Sequence, residues 1–378
     1  VVHASKAGRR SGALVPPDAA LCAACRADME DPADRRAHYA FTTCTDCGPR
    51  FSLVHDLPYD RPKTAMACFP LCDACRREYE DPGDRRFHAE PVCCPQCGPR
   101  LWLARPGGEP VAQGPQAASA AREALAAGEV VAIKGVGGFQ LACRADDSAP
   151  VARLRERKRG SDKPFAVMAA SLDAARRMVR LTADEEALLA SARGPILLAP
   201  RRLESPLVPE VAPGLADVGV MLPTTPLHVE LLRDAPFEAL VMTSGNASEE
   251  PICQGNREAL DRLAPFADAW LLHDRDVVRR VDDSVVRSDP AGAFVVRRAR
   301  GYVPQPLSLP VEAPRPVLAM GGHLQVTACL GVGSLAFPSQ HVGDLDSEPA
   351  RAFLEGVVGG LEHLPTERVP VGGLDLHH

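Results

Sequence analysis

Eight cysteines near the beginning of the chain have the residue type and the spacing of metal ligands. They form four C-x2-C pairs, and two sulfurs three residues apart can face one ion from a tight turn. Eighteen residues separate the two pairs in each half of the stretch, a spacing typical of four-cysteine zinc sites. We therefore predict two structural zinc ions, rather than disulfides or a redox dithiol, with these ligands: Cys22, Cys25, Cys44, Cys47, Cys72, Cys75, Cys94 and Cys97.

The residues around these cysteines repeat with a period of fifty. Asp34-Arg35-Arg36 returns as Asp84-Arg85-Arg86, and Gly-Pro-Arg follows the last cysteine of each half. A repeat at a fixed period indicates a duplicated structural unit. The simplest arrangement is that each repeat binds its own ion, and we predict short helices at 23–30 and 74–80.

The composition of the 378-residue chain limits the classes of function. A formal net charge of -6 argues against a large nonspecific nucleic-acid surface, because such a surface needs an excess of basic side chains. Aromatic residues make up 4%, so side chains that could stack on single-stranded bases are scarce. No apolar run reaches the roughly 18 residues of a membrane span, and no secretory signal is visible, so we predict a cytoplasmic protein without a membrane segment.

Stretches rich in proline and glycine divide the chain, and we predict linkers at 105–116 and 304–316. Between them, apolar runs alternate with helical patterns, which predicts an α/β domain around a twisted, mixed sheet. Further on, we predict a hairpin between 326–331 and 334–338. The predicted organisation is a tail or linker at 1–20, a tandem zinc-finger unit at 21–104 (halves 21–60 and 71–104), the α/β domain at 105–310, and the beginning of another domain at 311–378.

Several stretches at the ends of predicted strands carry groups suited to binding phosphates. Lys158 and Arg159 lie in a basic cluster that ends a predicted helix and could clamp phosphates. A hydroxyl and an amide in Thr243-Ser-Gly-Asn246 follow an apolar strand, and Lys134 precedes a glycine-rich turn. Taken singly, each is also compatible with a solvated face or an ordinary turn. Other polar groups next to predicted strands are Asp282, Asp283, Ser284, Arg297 and Arg298.

Taken together, these stretches resemble the HypF family of carbamoyltransferases, the maturation factors of nickel-iron hydrogenases. The order of the zinc unit, a YrdC-like domain and the start of an actin-like ATPase-type domain is that of the family, and the resemblance covers nearly all of residues 20–378. The family also has an acylphosphatase-like domain before the zinc unit and a longer C-terminal domain, so we expect this chain to be a fragment. Beside the doubled zinc repeat, the matching segments are Lys134-Gly-Val-Gly-Gly-Phe139, Lys163-Pro-Phe-Ala-Val-Met168, Gly219-Val-Met-Leu-Pro223, Thr225-Pro-Leu-His228, Thr243-Ser-Gly-Asn-Ala-Ser248, Val281-Asp-Asp-Ser-Val285, Arg297-Arg-Ala-Arg-Gly-Tyr302, Ser339-Gln-His-Val-Gly-Asp344 and Asp375-Leu-His377.

The resemblance implies a reaction sequence. Carbamoyl phosphate is dephosphorylated to carbamate in the acylphosphatase-like domain. The YrdC-like domain then joins carbamate to the AMP part of ATP, which is bound with magnesium, and releases pyrophosphate. The full protein then passes the carbamoyl group to the C-terminal cysteine of HypE. Since adenylation places negative charge on the transferring phosphate, basic residues should surround it. Full-length relatives are often dimeric, which leaves a homodimer open.

The resemblance also implies site residues. Lys158 and Arg159 would clamp phosphates, while Ser244 and Asn246 would hold the nucleotide and the carbamoyl part. The chain departs from the usual Lys-x-Arg clamp of YrdC-like domains, because Arg157-Lys-Arg-Gly160 fits only with arginine in the lysine place or glycine in the arginine place. Which side chain meets which phosphate therefore stays open. Further groups that would line the same cleft are Lys134, Thr225, Thr243, Ser284, Arg297 and Arg298.

Two other functions stay open at the level of the sequence. YrdC-like domains also act in threonylcarbamoyl modification of tRNA, and the arginine pairs Arg35-Arg36 and Arg85-Arg86 could contact RNA, although the acidic balance argues against this. The zinc unit could instead belong to a non-catalytic scaffold that docks HypE. RNA binding would weaken steeply with salt, and a scaffold would not turn over ATP.

Overall fold

The computed structural model describes residues 15–158, 163–247 and 250–362. Its largest element is an eleven-stranded sheet, and β12 (Leu307–Met320) and β13 (Ala328–Pro338) form a separate pair. The strands of the large sheet, in chain order, are β1 (Leu101–Ala104), β2 (Pro110–Gln113), β3 (Val131–Lys134), β4 (Phe139–Arg144), β5 (Ala166–Ala169), β6 (Ile196–Pro200), β7 (Asp217–Met221), β8 (Ala239–Ser244), β9 (Ala269–His273), β10 (Val285–Asp289) and β11 (Gly292–Arg297).

The sheet is mixed, as the sequence predicts. Its strand order is β11-β10-β6-β7-β5-β8-β4-β3-β9-β1-β2. The pairs β3 with β9, β5 with β7 and β6 with β10 are parallel, and the other neighbouring pairs are antiparallel. Near the centre, Gln140 of β4 lies opposite Ser244 of β8. The glycine-rich turn before β4 and the turn after β8 therefore meet at one edge of the sheet.

Side chains cap the first turns of two helices. Asp147 accepts a hydrogen bond from the backbone of Ala149 at the start of α4 (Ser148–Arg157), and Thr182 with Glu185 forms a capping box on α6 (Ala183–Leu189). Each helix in the described part of the chain is too short or too polar to cross a membrane. The helices are α1 (Ala23–Glu30), α2 (Asp73–Glu80), α3 (Pro115–Ala126), α4 (Ser148–Arg157), α5 (Leu172–Met178), α6 (Ala183–Leu189), α7 (Pro226–Leu232), α8 (Asn256–Arg262) and α9 (Glu348–Glu362).

Two of the stretches predicted to be linkers contain paired strands instead. Residues 105–116 turn at Gly107 and Gly108, which have positive φ, so that β2 pairs back on β1. The second stretch, 304–316, runs into the long strand β12. The predicted hairpin between 326–331 and 334–338 is also wrong, because a single strand, β13, passes through Gly333 with an irregular register and pairs with β12.

The cysteine-containing unit packs directly on one face of the large sheet. Phe41, Leu53 and Met66 are buried in the same apolar cluster as Ile133 of β3 and Leu271 of β9. Burial of apolar side chains contributes about 1.5–3 kcal/mol for each large residue. This contact therefore joins the cysteine-containing unit to the sheet as one packed body, rather than leaving it on a linker.

Candidate functional site

The first four cysteines form one compact group between α1 and the turn at 44–47. All four Sγ atoms lie within 4.8 Å of one another, with Cys22 to Cys44 at 3.7 Å and Cys44 to Cys47 at 3.8 Å. Zinc–sulfur bonds of about 2.3 Å in a tetrahedron require sulfur–sulfur separations of about 3.8 Å. Cys25, on the first turn of α1, completes the group, and the sulfurs therefore fit a tetrahedral ion.

The second repeat builds the same arrangement on α2 and the turn at 94–97. Cys72 to Cys94 is 3.7 Å, Cys94 to Cys97 is 3.8 Å, and Cys97 to Cys75 is 3.6 Å. Again all four sulfurs lie within 4.8 Å of one another. The cysteines of each repeat therefore group with one another, in the arrangement that the spacing predicts.

A cleft of about 420 Å³ opens at the edge of the sheet where the turns after β3 and β8 meet. Its walls come from widely separated segments, which the strand order brings together. The residues that line it are Gly135, Val136, Gly137, Gly138, Phe139, Gln140, Lys158, Lys163, Pro164, Phe165, Ala166, Ile196, Leu198, Gly219, Thr224, Thr225, His228, Met242, Thr243, Ser244, Asn246, Ile252, Val281, Asp282, Asp283, Val285, Arg297 and Arg300.

One cation in this cleft is held by the turn that follows β8. Lys158 Nζ donates to the backbone oxygens of Ser244 at 2.8 Å and Asn246 at 3.1 Å, and to Asn246 Oδ1 at 3.1 Å. Ser244 Oγ donates to the same Oδ1 at 2.7 Å. Burial lowers the pKa of Lys158 to about 8, so its ammonium is charged at neutral pH but poorly solvated. An anionic ligand would supply the charge that its present neutral partners lack.

Two glycines let backbone segments around this cleft approach one another closely. A Cβ on Gly137 would stand 2.0 Å from the backbone oxygen of Val281, and one on Gly245 would stand 2.8 Å from the carbonyl carbon of Phe139. Gly245 also donates its amide to the Phe139 oxygen at 2.8 Å. Only glycine permits this approach, and a backbone without side chains leaves room for a ligand against the turn.

Lys134 occupies a neighbouring position outside the main cleft. It is almost fully buried, and its Nζ donates to the backbone oxygen of His273 at 3.1 Å. Burial lowers the pKa of Lys134 to about 8. Together with Asp18 and Arg275 it lines a small cavity of about 30 Å³ beneath the cysteine-containing unit. Thr224 and Thr225 lie at the wall shared by this cavity and the cleft.

Thr225 has a local structural role as well as a place in the cleft wall. Its Oγ1 caps α7 by accepting from the backbone of His228 at 3.2 Å. Thr224 donates its backbone amide to His228 Nδ1 at 3.4 Å, which places the imidazole proton on Nε2. That Nε2 is buried and has no hydrogen-bond partner among the residues that the structure describes. Burial lowers the pKa of His228 to about 4, so the ring is a neutral donor.

The remaining predicted site residues separate into two groups. Thr243 and Arg297 line the cleft, whereas Ser284 and Arg298 lie outside its lining. Ser284 is fully buried, and its hydroxyl donates to the Arg300 oxygen at 2.9 Å while accepting from the Ala299 amide at 2.8 Å.

The guanidinium of Arg298 donates to two backbone oxygens, of Tyr302 at 3.0 Å and of Gln305 at 2.5 Å. Both Arg298 and Ser284 therefore hold backbone segments next to the cleft. Arg159 lies outside the residues that the structure describes, as does Asp375-Leu-His377.

The structure adds a charged network that the sequence did not single out as a site. Arg300 Nε donates to Asp283 Oδ1 at 2.7 Å, and Gln140 Nε2 donates to Asp283 Oδ2 at 2.5 Å. Arg300 is buried and lines both the cleft and the small cavity. Its segment was visible in the sequence as Arg297-Arg-Ala-Arg300, but the pattern alone does not say which arginine faces the cleft.

Comparisons with known proteins cover almost the whole chain. The sequence profile of the HypF finger matches residues 21–54 and 71–104, and that of the HypF Kae1-like domain matches residues 312–378. Between them, the Sua5/YciO/YrdC profile, described as "Telomere recombination", matches residues 123–299. Carbamoyltransferase HypF2 of Cupriavidus necator is 48% identical in an alignment of 378 positions that covers 95% of this chain and 46% of that protein.

Another curated relative, carbamoyltransferase HypF of Rhodobacter capsulatus, is 51% identical in an alignment of 347 positions that covers 90% of this chain and 45% of that protein. A structure of full-length HypF, described as phosphate- and nucleotide-bound, aligns with a TM-score of 0.88 at 45% identity, over 93% of this chain and 46% of that one. The HypF structure from T. kodakarensis aligns with a TM-score of 0.89 at 38% identity, over 93% and 45%. The chain spans about half the length of the curated relatives that it matches. It belongs to the HypF family, whose named members are carbamoyltransferases.

Proposed function

We propose that this chain carries the ATP-dependent adenylation step of a carbamoyltransferase, and that its cleft binds ATP and carbamate. The observation that carries the proposal is the ammonium of Lys158, held by three oxygens of the Ser244–Asn246 turn in a cleft walled by glycine backbone. A partly desolvated cation next to open backbone suits a phosphate group. The solved relative described as phosphate- and nucleotide-bound supports a nucleotide as the ligand.

In the proposed step, a carbamate oxygen attacks the α-phosphorus of ATP. A new phosphorus–oxygen bond forms, the bond to the bridging oxygen of pyrophosphate breaks, and carbamoyl-AMP and pyrophosphate result. Lys158 and Arg159 would hold the phosphates, and Ser244 with Asn246 would position the nucleotide and the carbamoyl group. Thr243, Thr225 and Arg297 line the same space. Magnesium, bound with ATP, would neutralise part of the phosphate charge. Carbamate is already anionic, so positioning can supply most of the acceleration.

The two four-cysteine groups are proposed to hold structural zinc. Four sulfurs at tetrahedral spacing leave no open position for a substrate, which is the arrangement of a structural site rather than a catalytic one. Lys134, Ser284 and Arg298 are proposed to support the cleft through backbone contacts rather than to touch phosphate. We propose that the chain is divided into a zinc-finger unit at 21–104, an ATP-binding domain at 105–310 and a further domain from 311. Strand β1, which ends the zinc-finger unit, pairs with β9 and so extends the sheet of the ATP-binding domain.

The wider reaction belongs to the proposal as well, because the chain spans about half of its relatives. Carbamate would come from carbamoyl phosphate, and the carbamoyl group would pass to the C-terminal cysteine of HypE. A reducing compartment such as the cytoplasm is proposed because eight thiols must stay available for metal.

The test is carbamate-dependent exchange between ATP and labelled pyrophosphate, with bicarbonate and ammonium supplied as the source of carbamate. Exchange that is lost in Lys158→Ala and reduced in Ser244→Ala would support the proposal. An absence of exchange together with an absence of ATP binding by calorimetry would overturn it and favour a scaffold. Salt-sensitive RNA binding in a filter assay, without exchange, would instead favour the tRNA-modification alternative.

A further inference from the structure

The arginine pair of each cysteine repeat contacts the cysteine group of the other repeat. Arg35 of the first repeat donates from both Nη atoms to Cys75 Sγ of the second, each at 3.3 Å. Arg85 of the second repeat donates to Cys25 Sγ of the first at 2.9 Å. Arg35 and Arg85 occupy equivalent positions in the fifty-residue repeat, and so do Cys25 and Cys75. The contact is therefore reciprocal.

A carboxylate on each short helix fixes the incoming arginines. Glu78 of α2 binds Arg35 at 2.5 Å and Arg36 at 3.0 Å. Asp28 of α1, the equivalent position in the first repeat, forms ion pairs with both arginines of the second repeat. Hydrogen bonds to a charged partner are roughly twice as strong as neutral ones. Each helix thus carries a cysteine ligand and a carboxylate that bind the Asp-Arg-Arg segment of the other repeat. We call this segment, 34–36 or 84–86, the visiting segment.

The second arginine of each pair reaches the other side of the visited site. Arg36 is almost fully buried, and its Nε donates to the Cys93 backbone oxygen at 2.8 Å. Arg86 donates from Nε to the Thr43 backbone oxygen at 3.2 Å. Cys93 and Thr43 are also equivalent, and each directly precedes the second cysteine pair of its repeat. The visiting segment therefore spans the helix and the turn that together carry all four ligands.

The visiting segments are held in shape by their own first residue. Asp34 Oδ1 accepts from the Arg36 amide at 2.7 Å, and Asp84 Oδ1 accepts from the Arg86 amide at 2.8 Å. Such an aspartate turn orients the two following side chains in one direction. All three residues of the repeated Asp-Arg-Arg sequence therefore serve one structural role, which is to contact the cysteine group of the other repeat. It also means that the paired arginines face cysteines and carboxylates rather than forming a free basic surface for RNA.

The negative charge of a four-thiolate site gives a physical reason for these arginine contacts. A divalent ion with four thiolates has a net charge of about −2, which is costly at a largely buried position unless cations or donors lie close to the sulfurs. We propose that each metal centre is completed by the Asp-Arg-Arg segment of the other repeat, so that the two centres bind their ions as a coupled pair. Arg35 and Arg85 are positioning residues, because each donates to a ligand sulfur of the opposite centre.

The experiment uses the full zinc-loaded chain and identifies which centre opens first. Zinc release is started with a chelator, freed cysteines are alkylated at intervals, and the labelled peptides are quantified by mass spectrometry. In Arg35→Gln, we expect the second centre (Cys72, Cys75, Cys94 and Cys97) to be labelled about tenfold to a hundredfold faster, the usual effect of losing a partner of a metal ligand. In Arg85→Gln, the first centre should open first. Arg26→Gln removes a partly exposed arginine on α1 that forms an ion pair with Glu30, and it should match the parent chain.

Coupling is tested with a chain that cannot hold the second ion. Cys72→Ser combined with Cys94→Ser should speed zinc release from the intact first centre, because Arg85 then comes from a loosened repeat. Faster labelling of the variant arginine's own repeat, or rates equal to the parent chain, would overturn the proposal. If Arg35→Gln fails to fold, Arg35→Lys serves instead, since one ammonium cannot reproduce the two-pronged contact and should give an intermediate rate at the second centre.

Discussion

Lys158 Nζ and Ser244 Oγ donate to one and the same acceptor, Oδ1 of Asn246, at 3.1 Å and 2.7 Å. The other end of that amide is also fixed, because Asn246 Nδ2 donates to the Glu250 backbone oxygen at 2.5 Å. The amide can satisfy these partners in only one orientation. The turn after β8 therefore holds the cleft cation at a fixed point, against which a ligand can be aligned.

Nucleotide binding should weaken as the pH rises through the pKa of Lys158. Burial lowers that pKa to about 8, so the ammonium is charged below pH 8 and becomes neutral above it. If only the charged form clamps phosphate, the Kd for ATP should rise from about pH 7 to about pH 9 and approach a tenfold increase per pH unit at the upper end. Isothermal calorimetry across this range measures the effect.

Lys158→Arg supplies the control for this pH dependence. A guanidinium keeps its charge throughout the range, so its ATP affinity, although lower in absolute value, should change little with pH. A Kd that rises equally in the parent chain and in the arginine variant would show that another group causes the dependence.

Substitutions at Ser244 and Asn246 should differ in size. Ser244→Ala removes one hydrogen bond to the amide, and we expect a loss of about 1 kcal/mol in ATP binding. Asn246→Asp places a carboxylate against Lys158, which would neutralise the cation and repel phosphate, so the loss should exceed about tenfold in Kd. Calorimetric titration of both variants tests the order, with Ser288→Ala on β10 as a serine outside the cleft. Equal losses in the two variants would contradict the alignment role of the amide.

Local patterns predicted the parts of the site whose geometry is set within a few residues. The cysteine groups follow from ligand spacing, because two C-x2-C turns on one repeat bring four sulfurs together. Ser244 and Asn246 could be located because they directly follow an apolar strand. The same kind of reasoning failed where tertiary pairing decides, as at β2, whose proline- and glycine-rich surroundings indicate a linker until β1 supplies its partner.

Orientation across the chain could not be predicted from sequence. The Ser284 hydroxyl donates to the backbone oxygen of Arg300, whereas Arg300 itself lines the cleft. The exchange of Arg35 and Arg85 between repeats depends on how the two repeats dock. A repeated sequence indicates that two units have similar structures, but it does not indicate which of the two units a given side chain contacts.

Gly137 should not tolerate a methyl group. A Cβ there would lie 2.0 Å from the Val281 backbone oxygen, and the two backbones are also joined by a hydrogen bond of 2.9 Å. Gly137→Ala must therefore move one strand connection away from the other, with an expected cost of about 1–3 kcal/mol in the free energy of unfolding. Chemical denaturation measures this cost, and Gly322→Ala, which meets open space, should change little. A stable Gly137→Ala chain with unchanged ATP binding would show that the turn is free to move.

His228 should make the folded chain sensitive to acid. Burial lowers its pKa to about 4 from an ordinary value near 6.5, so between these values the unfolded chain binds a proton that the folded chain does not. Stability is therefore lost as the pH falls from about 6.5 to about 4, by up to about 3 kcal/mol from this residue. His228→Gln cannot titrate and should lose correspondingly less stability over that range in urea denaturation. Parallel curves for the two chains would assign the acid sensitivity to other groups.

Removal of zinc should destabilise the large sheet as well as the cysteine repeats. Phe41, Leu53 and Met66 are fixed by the cysteine-containing unit and lie in one apolar cluster with Ile133 and Leu271 of the sheet. Since binding to a structural site contributes directly to folding, the metal-free chain should lose this packing and unfold at a lower temperature.

Calorimetric melting with zinc and after chelation measures the effect of metal on the sheet. Cys44→Ser should reproduce it for one centre, while Cys329→Ser, outside both groups, provides the matched control. A sheet transition that keeps its temperature after complete zinc removal would mean that the repeats and the sheet fold independently.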